Sequence, residues 1–200
     1  MSPFGSHHRP RPRARARNER GAILVEAAFV LPVMILFVMA IIEFGLAFKD
    51  LQTVFSATRV GARTASAEPR QFGYANDVAN AVKTSLSAIP SGQWQELWVY
   101  KARSDGKPDT GNFTSCTTCV RYHWDGANWI KDQDTWPATS TTGIGTPQYA
   151  CGGVTPGPDA LGVYLKVRHD MLTGFFGSTK TLTDNTVVRL EPLPISSCQG

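Results

Sequence analysis

Positive charge is scarce beyond the first 20 residues of this chain. Residues 1–20 carry six arginines (Arg9, Arg11, Arg13, Arg15, Arg17, Arg20) against one acid, Glu19. Of 20 basic and 16 acidic residues in all, 14 and 15 remain for the other 180, a net charge of −1. The overall charge of +4 is therefore a property of the tail. It does not mark a basic surface for nucleic acid. The tail alternates Arg with Pro and Ala and has almost nothing to bury, so disorder is expected there.

Signatures of catalysis are equally scarce. There is no HExxH zinc motif and no nucleophile elbow. Cysteine is absent before Cys116, and Cys116-Thr117-Thr118-Cys119 is the only closely spaced pair. A zinc site recruiting His123 would lack a second such pair. The CxxC sits among Gly, Asn, Ser and Thr, not at the strand-to-helix junction of a thiol oxidoreductase. His169-Asp170, with Ser178 and Thr179 close behind, reads as polar residues at a strand end. The expectation is a protein with no catalytic residues, no metal ligands and no cofactor.

Long apolar runs are rare too, but one is present. Ala22 to Phe48 is apolar except for Glu26 and Glu43, with Pro32 and Gly45 inside it, and Ala27 to Ile42 carries no charge. Twenty-seven residues at about 1.5 Å each reach roughly 40 Å, enough to cross a bilayer with tilt. The two glutamates then fall near opposite edges of the hydrocarbon, where a carboxylate costs less than at the centre. A cleaved secretory signal is excluded by the length of the run. The arginines precede the span and Lys49 is the first base after it, which puts the N-terminus in the cytoplasm and the remainder outside. Pro32 removes one helical hydrogen bond and should kink or strain the span.

Glu26 has a use if the chain is cut after Gly21. Ala22 then becomes the new N-terminus and Glu26 its fifth residue. A basic leader, a Gly, four apolar residues and a Glu form the pattern that a prepilin peptidase reads. A new amine in an apolar assembly needs a counter-charge, and a neighbouring subunit's glutamate supplies one. The stretch RNERGAILVEAAFVLPVMILFVMAIIEFGLAF resembles the N-terminal segment of TadE-like proteins, minor pilins or pseudopilins of tight-adherence (Tad) pili. Arg20-Gly21, Val25-Glu26, Leu31-Pro32 and Ile42-Glu43-Phe44-Gly45 carry the resemblance, and Val188-Arg189-Leu190-Glu191-Pro192 is a fainter echo. The resemblance implies processing at Gly21 and Ala22, and assembly through Glu26. It also implies four kinds of partner: a major pilin, other minor pilins, a membrane assembly platform and the prepilin peptidase.

Helical spacing continues through Leu51, Val54, Phe55 and Ala62, predicting one helix over 22–67 that ends before Pro69. Tyr74, Val78, Val82, Leu86 and Ile89 form the stripe of a second helix packed on a sheet, with Asn76 or Asp77 as its cap. The period then falls to two. Glu96–Lys101 reads as a strand. Cys119–Trp124 and Asn128–Lys131 form a hairpin about Asp125-Gly126. Leu161–Arg168 and Thr186–Leu190 are further strands, while 134–158, with four Pro and five Gly, is a long irregular loop. The expected fold class is α+β: a long N-terminal helix, a second helix and a mainly antiparallel sheet, pilin-like. The expected division is a basic leader over 1–21, a helix over 22–67 spanning the membrane at about 22–48, and an extracytoplasmic domain over 68–200.

Four cysteines on the exported side suggest two disulfides. Cys116 and Cys119 are expected to seek distant partners, with Cys151 pinning the long loop and Cys198 the C-terminus. The five tryptophans are expected in the core or in cross-strand pairs. Two other readings stand beside the pilin-like one. The first is an uncleaved single-pass protein with an exported ligand- or surface-binding domain. The second is an extracytoplasmic thiol enzyme.

Overall fold

The computed structural model describes residues 16–138, 148–152, 157–175, 177–194 and 196. Helix α1 runs Ala16–Ala67 and is continuous through Pro32. Helix α2 is Tyr74–Ser85. Five strands follow: β1 Trp94–Lys101, β2 Cys119–Trp124, β3 Trp129–Asp134, β4 Ala160–Asp170 and β5 Thr179–Arg189. They form one sheet of order β3-β2-β1-β4-β5, antiparallel throughout. This is the α+β layout expected. The chain divides into two compact units, Met1–Phe44 and Gly45–Gly200.

In the second unit, the α1 segment after Gly45 and helix α2 share a core with one face of the sheet. Val54, Ala57, Ala62 and Ala65 of α1 are buried with Val78 and Val82 of α2 and with Leu161, Val163, Leu165 and Val167 of β4. Each fully buried Val or Leu among them contributes roughly 1.5–3 kcal/mol. Gly61 marks a close approach of α1 to its neighbours. A Cβ there would come within 2.8 Å of Val82 and 3.3 Å of Val163. Polar ties fix the same seat: the Thr58 hydroxyl meets the Asp184 carboxylate and lies 3.0 Å from that of Thr186. Further along, the Ser66 hydroxyl donates to the Arg189 carbonyl at 2.8 Å.

The stripe Tyr74, Val78, Val82, Leu86 and Ile89 is buried, but α2 ends at Ser85, so Leu86 is its C-cap and Ile89 lies in the turn beyond it. Its N-cap differs from expectation. The helix begins at Tyr74, and Gly73, at φ 89°, is the capping residue with no side-chain bond. The left-handed glycine lets its own carbonyl accept from the Asn76 and Asp77 amides at 2.8 and 3.2 Å. The Asn76 side chain is instead engaged by the Tyr122 hydroxyl at 2.9 Å.

Strand β5 starts seven residues before the expected Thr186. Its first half, Thr179 to Asn185, has little apolar alternation, yet it pairs with β4 along its whole length. The pairing is set by β4 and the turn, not by burial. In β1 a bulge between Trp94 and Glu96 resets the alternation. Trp94 thereby joins Leu97 and Val99 in the helix-side core, while Trp98 and Tyr100 face the other way.

That second face is covered by the connection between β1 and β2. Phe113 stacks on Tyr164 at 4.3 Å between ring centres and packs edge-on to Tyr100 at 5.7 Å. The Tyr100 hydroxyl donates to the Gly106 carbonyl at 2.7 Å. Of the long irregular loop expected over 134–158, residues 139–147 and 153–156 lie outside the described residues; at its start Trp136 is fully buried and its carbonyl accepts from the Tyr74 hydroxyl at 2.9 Å.

The expected pairing of Cys116 and Cys119 with distant partners is corrected. They bond to each other, with Cα atoms 6.1 Å apart. Asp109 accepts from the Thr117 amide at 3.0 Å and from its hydroxyl, folding the chain so that the two thiols meet just before β2. Cys151 is also in a disulfide and bridges to Leu193 in the C-terminal segment. Cys198 lies outside the described residues.

Candidate functional site

From Gly21 to Ile42, α1 is apolar on every side except at Glu26. Ile23, Phe29, Leu31, Ile35, Phe37 and Ile41 are all at least half exposed, Phe29 at 75 %. A helix apolar all round is suited to lipid or to other apolar helices. α1 is long and apolar enough to cross a membrane, and none of its most apolar window is buried. It fits a single-pass membrane protein. Gly21, Ala22 and Glu26 all lie on this helix and are all exposed. Glu26 follows Ala22 by four residues, one helical turn, so both lie on the same side of the helix.

In the second unit the charged groups are tied into structure. His169 Nδ1 lies 2.7 Å from Asp50 Oδ2, and both residues are buried. Its sequence neighbour Asp170 is instead bound by Arg168 at 2.7 Å. The sequence reading missed Asp50 as the partner. The only signal was its place, one residue past the first base after the apolar run. His123 Nδ1 lies 2.6 Å from Asp132, exposed and away from the cysteines. Among the described residues, no three His, Cys, Asp or Glu side chains gather as a metal site.

Trp98 is the centre of a charged cluster on the second sheet face. The Arg121 guanidinium sits 4.3 Å over its ring, and its indole N–H donates to Glu96 at 3.1 Å. Lys166 completes the group at 2.9 Å from Glu96. Trp94, Trp124 and Trp129 form an aromatic group on the helix side, with Trp124 and Trp129 paired across β2 and β3. Next to them, Asn76, Asn80, Lys83, Tyr122, Asn128 and Trp129 line a polar cleft of about 290 Å³. Lys83 is held there by the Ala127 carbonyl at 2.7 Å.

The most distinctive surface is thus the exposed apolar helix with Glu26 near its start, and it coincides with a known family. Residues 21–63 match the model of the TadE-like protein family. No curated protein and no solved structure matches the chain. The TadE-like segment lies wholly inside α1 and begins at Gly21. It contains the apolar run and Glu26, and it extends to Gly61, where α1 seats on α2 and β4. The match ends before α2 and the sheet begin.

Proposed function

We propose that the protein is a TadE-like minor pilin or pseudopilin, a non-enzymatic component of Tad pilus assembly, cut by a prepilin peptidase after Gly21. The observation that carries this reading is Glu26, exposed one turn after Ala22 at the head of a helix whose TadE-like match starts at Gly21. Cutting there removes the arginine tail and creates an amine at Ala22. In a bundle of apolar helices that amine requires a carboxylate, and Glu26 of a neighbouring subunit supplies it in this reading. The apolar helix is then first a membrane span and later the polymer-forming surface. Residues 1–21 are the cytoplasmic leader and 68–200 the exported domain, held to the bacterial cytoplasmic membrane or carried into the pilus. The partners are the major pilin, other minor pilins, the assembly platform and the peptidase.

N-terminal sequencing of the protein from membranes of its native host tests this. A chain beginning at Ala22 is expected. Glu26→Gln should still be cut, but should fail to co-purify with the other pilins. A mature chain that retains its arginine tail overturns the processed-pilin mechanism.

A further inference from the structure

Strand β4 runs beside the outer part of α1 in the opposite direction. Val163 lies against Gly61, and His169 meets Asp50 at 2.7 Å. The helix rises about 16 Å from Asp50 to Gly61, and the strand covers about 20 Å from Val163 to His169, so the two are aligned. Beyond His169 the chain therefore continues past Asp50 in the direction of Phe48. It turns with Gly174 and Gly177 at φ 72° and 102° before β5 returns. Within this unit the turn thus follows on the Phe48 side of Asp50, and Phe48 is the last residue of the apolar run. Its described apolar side chains point away from the core: Leu172 is 68 % and Phe175 69 % exposed. Around the base of the turn stand Lys49, Arg168 and Lys180, the last paired across from His169. Asp50 is engaged by His169 and lies 3.9 Å from Lys49, and Asp170 is engaged by Arg168.

We propose that the β4–β5 turn is a membrane-docking tip, inserting Leu172 and Phe175 into the outer leaflet of the bilayer that α1 spans. Exposed apolar side chains at the end of a polar hairpin gain an apolar surrounding there, and Lys49 and Lys180 meet lipid phosphates. The outer unit then holds the bilayer surface by a contact separate from the span. Phe72 provides an internal contrast. It is 84 % exposed but follows the far end of α1, so the same geometry keeps it out of lipid.

This inference rests on α1 crossing the membrane, and one experiment separates the two. The full chain carries benzoylphenylalanine in place of Phe175, Phe72 or Phe37 and is reconstituted into phosphatidylethanolamine–phosphatidylglycerol vesicles. It is illuminated and analysed for lipid adducts. The same label in place of Leu172 reads the tip a second time. Adducts are expected from positions 37, 172 and 175 at a yield at least about tenfold above position 72. Adducts at 37, with 172 and 175 no higher than 72, overturn the docking tip and leave the span standing. Protein crosslinks in place of lipid adducts at 175 overturn it too. No adduct at 37 removes the span and the tip with it.

Discussion

Gly162→Ala is the sharpest test of how the outer sheet face is built. Gly162 pairs directly across β4 and β1 with Tyr100. A Cβ at Gly162 would sit 2.1 Å from Tyr100 Cζ and 2.5 Å from its hydroxyl oxygen. The ring has nowhere to go. Tyr100 is fully buried, packed on Phe113, and its hydroxyl is committed to the Gly106 carbonyl at 2.7 Å. A glycine inside a strand is the mark of such a close approach. Overpacking of this kind costs about 1–3 kcal/mol. Losing the hydroxyl bond adds about 1 kcal/mol. The sum, about 2–4 kcal/mol, lowers Tm by roughly 4–16 °C for a unit of this size. The assay is thermal unfolding of the full chain in detergent, followed by near-UV circular dichroism, which reads the aromatic packing directly. Tyr100→Phe should lose only the hydroxyl part. Combining Gly162→Ala with Tyr100→Ala should cost less than the two single losses added, because the ring that clashes is gone. A Gly162→Ala protein melting within about 2 °C of the parent would refute the argument.

Two further outcomes are expected. Asp50→Ala leaves His169 buried without its partner and should destabilise the second unit by about 1–3 kcal/mol, with Asp50→Asn losing less; urea midpoints check this, and equal midpoints would sink it. Burial pushes the Asp109 carboxyl up, but bonds from the Thr117 hydroxyl and amide, then Thr118 and Thr110, outweigh it and bring it below its ordinary value. Its contribution is therefore present above the ordinary carboxylate range and lost as pH falls through the lowered value. The gap in Tm between parent and Asp109→Asn should be widest at neutral pH and close as pH falls below the ordinary carboxylate range; a gap independent of pH contradicts this.

Local pattern was enough for some elements and not for others. The stripe through α2 and the turn beyond it was readable because five apolar residues recur at helical spacing and every one is buried. The helix start was not, because Asn76 looked like a cap while its side chain was already committed to Tyr122 across the core. β2 was readable to the residue, since it alternates and ends at a turn signal. The first half of β5 was hidden, because it is mostly polar and forms only by pairing to β4.

The sequence by itself determined the apolar helix, the place of Gly21 and Glu26 on it, and the switch from helical to strand period near Gly92. These are local properties: a charge-free run and a periodicity select their surroundings without reference to the rest of the chain. Tertiary structure alone decided that β1 sits at the sheet centre, that His169 meets Asp50 and that Cys116 bonds Cys119. Those depend on which distant segments meet. That choice is made by close packing at Gly61 and Gly162, by the bulge in β1 and by buried polar pairs, none of which is written in any one stretch of residues.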